Sequence, residues 1–296
     1  MERNPENGGG VNANIMADIC VLIPAPDYFE DPAPHCQALE AAFGFVPEYR
    51  AWTNPGDLRA FDLVLPLIAW GYQKEPSNWY ALLAALETAH VKIANPVSIL
   101  RWNSDKAYLI ELADKGVAVV PTLMAQQLDS AALAMAAEHF GTANLIIKPP
   151  ISGGAFGTYR MNQGDPIPDD VAGSRMMIQP FMPAIATEGE YSLFYFDGEY
   201  SHAILKRPAA GDFRVQDYLG GTEAAAIPPD DAVTLAEAAL NAAPAKCLYA
   251  RVDMLRDANG VMRLMELELI EPSLFLQYAG DKGAMFARAV QKKAQI

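Results

Sequence analysis

Residues 261–271 read VMRLMELELIE, an apolar, strand-like run that carries Glu266 and Glu268 two positions apart. Alternation along a strand turns both carboxylates to one face. Thirteen residues before Glu266, the run LYARVDML (248–255) offers Asp253 in a second strand, and the turn DANG (257–260) predicts a hairpin joining the two. Three carboxylates would then converge. Crowded in an apolar setting, they repel one another and lose hydration, and a divalent cation among them relieves both costs. Hard oxygen donors suit Mg²⁺ or Mn²⁺, and Mg²⁺ commonly takes its remaining ligands from water and substrate phosphates. The competing reading, a glutamate facing solvent on an edge strand, accounts for a lone acid better than for Asp253, Glu266 and Glu268 together.

With 296 residues, 51% of them hydrophobic, the chain is long enough for two domains or one lobed domain around a substantial core. A net charge of −14 and a pI near 4.7, without any run of Lys and Arg, argue against nucleic acid or an anionic membrane as partner. An anionic small molecule would need a local basic pocket. Three widely spaced cysteines in no CxxC pattern predict a reducing, cytoplasmic setting. No apolar run is long enough to span a bilayer. Residues 1–15, MERNPENGGGVNANI, read as a disordered leader, with Met16 opening the folded part. A homo-oligomer is left open.

Outward from the hairpin, DICVLI (18–23) and FDLVLPLI (61–68) predict buried strands around a helix at 35–43, a βαβ-like opening that ends near Pro96. A helix from Ser104 to Gly116, a VAVV strand (117–120), an alanine-rich helix over 126–140 and the strand NLIIK (144–148) follow. Strands dominate from Arg175 to Lys206, a helix begins after Pro228 and Pro229, and a last helix covers 280–293. Linkers are expected near 96–103 and 163–174, where Pro, Gly, Asn and Asp gather.

The strand NLIIK delivers Lys148 to a loop holding Gly153, Gly154 and Gly157. Such a loop can bring backbone N–H groups close to a polyphosphate beside a point charge. The GxxxxGK[ST] order is missing, so this is not a P-loop, and Lys148 alone could equally be a strand-end lysine reaching solvent. Asn103 or Ser104 as N-cap would put Lys106 in the first turn of a helix, where the dipole disfavours a cation unless an anion is bound; tolerance of a surface lysine is the alternative. Arg207 and Arg214 flank the PAAGD turn and suit a substrate carboxylate or a developing phosphoryl charge, or else pair with Asp212 and Asp217 on the surface. Arg251, one face-mate from Asp253, could pair with the acidic cluster. Scattered histidines without HExxH or GxSxG, and a first strand without GxGxxG, speak against zinc hydrolase, serine triad and nicotinamide chemistry.

In order, Lys106, IIKPPISGGAFG (146–157), MMIQPFMPAIATEGEYSLFYFDGEY (176–200), LKRPAAGDFR (205–214), ARVDML (250–255) and LMELELIEPS (264–273) resemble the ATP-grasp superfamily, and within it the glutathione synthetase-like ligases, including relatives that close cycloserine from O-ureido-serine. The similarity covers about residues 98–290. It implies a mixed α/β and α+β protein, an ATP-grasp fold with an N-terminal α/β pre-ATP-grasp domain. The expected division is a substrate domain at 16–97, a small lobe at 98–180 and a large lobe with the metal site at 181–296. Lys106 and Lys148 resemble the two phosphate-binding lysines, and Gly153, Gly154 and Gly157 the flexible loop over the phosphates. Gln179, Phe181 and Met182 fall on the adenine-reading hinge, Glu190 on the ribose-binding acid, Asp253, Glu266 and Glu268 on the Mg²⁺ ligands, and Arg214 on an arginine near the acyl phosphate, with Arg207 beside it. Two positions depart from the pattern: Glu268 stands where Asn is common and Pro180 where an acidic or amide side chain is common; Glu271 and Ser273 occupy the segment that borders the acceptor in relatives. The resemblance implies an ATP-dependent carboxylate–amine ligase working through an acyl phosphate on a small amino-acid or peptide-like substrate. An intramolecular cyclo-ligase and a nucleotide-binding protein without turnover are the alternatives.

Overall fold

The computed structural model describes residues 17–295; the expected leader at 1–15 and Met16 lie outside them. β1 (Ile19–Ile23), α1 (Ala33–Phe43), β2 (Glu48–Ala51) and β3 (Leu63–Leu65) open the chain, with the strands paired in parallel in the order β2-β1-β3. Covered on both faces, β1 is a continuous apolar run, as parallel strands are. Its alternation splits the packing: Cys20 and Leu22, with Val64, face Trp79 and Leu83 of α2 (Pro76–Thr88), while Ile19 and Val21, with Leu63 and Leu65, face the rest of the molecule.

After α3 (Val97–Asn103) and α4 (Tyr108–Asp114), the strands β4 (Leu123–Ala125), β5 (Asn144–Lys148), β6 (Tyr159–Asn162) and β7 (Met176–Pro180) form an antiparallel sheet in the order β4-β7-β5-β6. Helix α5 (Ser130–Phe140), between β4 and β5, packs Leu133, Ala136 and Ala137 onto Leu145, Ile147 and Ile178. It starts where the Asp129 carboxylate accepts the Ala132 N–H and stops at Gly141, whose φ of 66° suits glycine.

Following the short α6 (Ala184–Thr187), β8 (Glu190–Phe196), β9 (Glu199–Arg207), β10 (Thr222–Ala225), β11 (Tyr249–Arg256) and β12 (Met262–Glu268) make a second antiparallel sheet, ordered β10-β9-β8-β11-β12. One face buries Leu193, Tyr195, Val252 and Leu264 under α4 and α7 (Asp230–Ala242). The other buries Phe194, Phe196 and Ile204 against the three-stranded sheet and α8 (Ala284–Ala294), whose Phe286 and Val290 fill the space between. Toward the opposite end of that second face the same alternation carries Ser192, Glu190, Lys206, Arg251 and Asp253. A single sheet face is thus apolar at one end and charged at the other.

Several expectations are corrected. The helix expected from Ser104 to Gly116 begins only at Tyr108, because residues 104–107 are a break between α3 and α4. The Ser104 hydroxyl bonds the Leu100 carbonyl at 2.6 Å, and Asn103 donates to the Leu267 carbonyl and accepts from the Leu269 N–H, so neither caps a helix over Lys106. Tertiary bonds took the donors and acceptors that a cap would have used. Residues 117–120 are not a strand: Val119 makes one isolated bridge to Leu264, and pairing with the second sheet stops there. The proposed linker at 96–103 is largely α3. Residues 99–119, placed by sequence in the small lobe, pack on the five-stranded sheet: Ile99, Tyr108, Leu109 and Leu112 are buried with Val252 and Leu267, and the Tyr108 hydroxyl bonds both the carbonyl and the N–H of Leu267.

Candidate active site

Asp253 and Glu266 are direct cross-strand partners, and Arg251 opposes Glu268, with a bulge between Asp253 and Met254. Asp253 is 2% exposed and held from three sides. Its carboxylate accepts from Arg251 Nε at 3.0 Å and Nη2 at 2.9 Å and from Ser192 Oγ at 2.6 Å, with Lys206 Nζ 3.7 Å away. Burial would push the Asp253 pKa up, but Arg251 and Lys206 outweigh it and hold the carboxyl below its ordinary value. Arg251 also binds Glu268, while Glu266 faces Lys106 Nζ at 3.2 Å. For Glu268 the balance goes the other way: burial and the neighbouring carboxylates raise its pKa to about 7 despite Arg251.

The expected gathering of three carboxylates into a ready cage is therefore not formed: among the described residues no three His, Cys, Asp or Glu side chains are arranged to hold an ion. Each carboxylate is turned to a cation instead, because unopposed charge at this depth is costly. The donor chemistry still fits a hard divalent ion, since Glu266 and Glu268 keep about a quarter of their side chains exposed on the cleft wall, 24% and 26%.

That cleft, about 890 Å³, lies between the three-stranded sheet, the 151–159 loop and the charged end of β11 and β12. Lys106 lines it from the α3–α4 break, anchored by its N–H to the Pro150 carbonyl, with Nζ on the Ser152 carbonyl. Gly153, Gly154 and Gly157 line it as well; φ is 59° and 66° at the last two, and a Cβ on Gly157 would meet Pro149 at 2.8 Å. Tyr218 reaches across to the Gly154 carbonyl. Lys148, 9% exposed at the end of β5, lies behind the lining, its pKa lowered first by burial and further by Lys106. Lys106 and Lys148 thus stand near enough for the charge of one to act on the other.

The hinge residues lie to one side. Gln179 is buried in the β7–β5 ladder, its amide donating to Thr122 Oγ1, and the Phe181 N–H is taken by the Asn144 carbonyl. Met182, Phe213 and Met265 pack with Phe181 around Ile185, Val215 and Leu255, an apolar cluster beside the charged end of the sheet. The Arg160 guanidinium covers the Phe181 ring at 3.7 Å.

Two expected side chains are placed elsewhere. Glu190, matched to a ribose-binding acid, is 3% exposed and accepts from Lys206 Nζ at 3.1 Å, its cross-strand partner; it faces the interior rather than an open slot. Arg207 is exposed and off the cleft, because the β9 alternation that turns Lys206 inward turns Arg207 out. Arg214 does line the cleft, held by a bidentate pair with Asp212 at 2.8 and 3.1 Å, so the surface-pair reading and the site reading hold together there.

Sequence reasoning passed over Lys206 in favour of Arg207, whereas the pairing it offered for Arg251 with the acidic cluster is formed, to Asp253 and Glu268. The signal for Lys206 was period 2: it follows buried His202 and Ile204 at two-residue steps. The wall contributed from before residue 97, with Tyr28, His35, Trp70 and Gln73, had no local signature.

Residues 16–95 match the family model for the N-terminal domain of the D-cycloserine synthetase DcsG. Over 276 residues the chain is 30% identical to the cycloserine biosynthesis protein DcsG of Streptomyces lavendulae, covering 84% of this chain and 89% of that one. It is 28% identical over 183 residues to the glutathione synthetase of Prochlorococcus marinus (strain MIT 9313), 57% of this chain and 56% of that one. The crystal structure of D-cycloserine synthetase DcsG superposes with a TM-score of 0.79 at 26% identity, over 93% of this chain and 99% of that one. A D-alanine–D-alanine ligase from Bacillus anthracis shares the fold, with a TM-score of 0.69 at 17% identity, over 94% and 97%. The ordered motifs, the two antiparallel sheets that follow the parallel one and these similarities place the chain in the DcsG family of ATP-grasp enzymes, which are ATP-dependent carboxylate–amine ligases.

Proposed function

We propose that the cleft binds ATP with Mg²⁺ and activates the carboxylate of a small amino-acid-like substrate as an acyl phosphate, which an amine then attacks. The carrying observation is the convergence of Lys106 and the glycine loop, with Lys148 behind them, on the wall that presents Glu266 and Glu268. The loop N–H groups and the two lysines hold the phosphates, and the adenine packs against the apolar cluster of Met182, Phe213 and Met265. Since the Phe181 N–H is bonded to Asn144, the hinge donor assigned to adenine is the Met182 N–H. Glu266 and Glu268, with Asp253 behind them, would hold Mg²⁺, which when bound neutralises charge on the phosphates.

In the first step a substrate carboxylate oxygen bonds the γ-phosphorus and ADP leaves; in the second the amine nitrogen bonds the acyl carbon, phosphate leaves and the amine gives up a proton. Arg251 and Arg214 are placed to bind charge that grows during transfer. Lys106 exchanges Glu266 for phosphate when nucleotide enters, a swap of one anion for another at the same Nζ.

The match of residues 16–95 to the N-terminal domain of a cycloserine-forming enzyme favours a second, narrower reading: the carboxylate and the amine belong to one molecule, and the product is a ring. Those residues supply the Tyr28–Gln73 wall of the cleft. The experiment is phosphate release from ATP and Mg²⁺ with O-ureido-serine alone, with product mass recorded. Product containing a second amine molecule would reject ring closure, and nucleotide binding without phosphate release across amino-acid and dipeptide pools would reject the ligase.

A further inference from the structure

Four cations on the cleft lining are already matched by carboxylates: Lys106 by Glu266, Lys206 by Glu190, Arg251 by Asp253 and Glu268, and Arg214 by Asp212. A fifth, Lys74, rests over the rings of Tyr28 and Phe29, 5.2 and 4.7 Å from their centroids. Three acceptors on the same lining are in the opposite condition. Gln73 and Gln216 each keep a buried amide oxygen without a donor. Glu271, three residues beyond Glu268, makes no hydrogen bond or ion pair among the described residues. Lys106 and Arg251 feel its charge through space, but both are committed to other carboxylates. The cleft is therefore short of donors, and of a positive charge beside Glu271 in particular.

The surroundings of Glu271 are aromatic. The Tyr28 and Tyr72 hydroxyls lie within its field, Gln73 bonds the Tyr28 hydroxyl, and the Tyr28 and Trp70 rings stand 6.3 Å apart. Beside them, His35 packs edge-on against Trp70 with its Nε2 3.0 Å from Ser273 Oγ, which holds the 271–273 segment against α1. Ring faces and a carboxylate together attract an organic cation.

We propose that Glu271 receives the free ammonium group of the amino-acid substrate, with the Gln73 oxygen and the Tyr28 and Trp70 rings around it, and so selects substrates with an unblocked amine. This rests on the ligase reading above. An ammonium brings the N–H donors and the charge that these acceptors lack. An acylated amine keeps a single N–H and no charge, and leaves the Glu271 side chain without the cation it lacks.

The test measures phosphate release from ATP by the full chain with serine, alanine and O-ureido-serine, each enantiomer alone and as its N-acetyl derivative. The expected result is turnover with free amino acids, at least a hundredfold lower kcat/KM with their N-acetyl forms, and a KM for the free form raised at least tenfold in Glu271→Gln with the KM for ATP within twofold. Glu271→Asp, which keeps the charge, should restore part of that loss, as a merely structural role would not require. Equal use of free and N-acetyl forms, or an unchanged amino-acid KM in Glu271→Gln, overturns the assignment and leaves the ligase standing. ADP binding without phosphate release from any compound removes the ligase reading, and this inference with it.

Discussion

Lys106 Nζ lies 3.2 Å from Glu266 Oε1, so a lysine from the break between two helices neutralises a glutamate on β12 across the floor of the cleft. The pair is inaccessible enough, with Lys106 only 6% exposed, that neither charge can be removed without consequence for the other.

Glu266→Gln should leave the protein folded, because this side chain is partly exposed, yet lower kcat by ~100-fold or more through loss of charge at the phosphate site. Phosphate release and thermal unfolding measured on one preparation check this. Full turnover at an unchanged melting temperature would take Glu266 out of the site.

Lys148→Met removes a buried ammonium whose pKa burial depresses, so the free protein should be no less stable than wild type. ATP affinity should fall by about tenfold or more while adenosine affinity holds, since only the phosphates meet the charge. Calorimetry with the two ligands separates the cases; equal losses would mean that Lys148 does not serve phosphate.

Arg251→Ala leaves Asp253 and Glu268 without their shared partner. Removing one side of a buried ion pair costs ~3–5 kcal/mol, and urea denaturation should show a loss of that size. A loss below ~1 kcal/mol would indicate that water or Lys206 replaces the guanidinium at little cost.

Glu271 supplies the pH dependence. Burial, then Glu268, raises its pKa from an ordinary 4.5 to about 8, despite Lys106 and Arg251. For an acid raised on folding, the stabilising contribution is present below pH 4.5 and lost as pH climbs through about 8. Ligand-free Glu271→Gln should therefore match wild type near pH 4.5 and melt at a higher temperature above pH 8. His202, whose pKa is lowered mainly by burial, works in the other direction around its ordinary 6.5, but it is common to both proteins and cancels in the comparison. A variant that melts lower than wild type at pH 8.5 would contradict the assignment.

Amino-acid order alone determined the alternating strands, the hairpin that sets Asp253 against Glu266, and the lysine and glycine-loop motifs, because each is written in spacings of two to a dozen residues. Arg214 was also within reach, since its partner Asp212 lies two residues away. What it could not determine is which of two adjacent side chains enters the site when both are basic: Lys206 faces in and Arg207 out only because Ile204 is committed to the apolar packing at the other end of the sheet. Nor could it locate the break at Lys106, where Asn103 gave its side chain to β12, 164 residues away at Leu267, instead of capping a helix. The acceptor wall is of the same kind, for Tyr28, Trp70 and Gln73 meet Glu271 only once β1 and β3 have packed on α8 and the back of the five-stranded sheet. Short-range spacing encodes elements and motifs; the meeting of residues some 200 positions apart is decided by burial, which only the assembled core enforces.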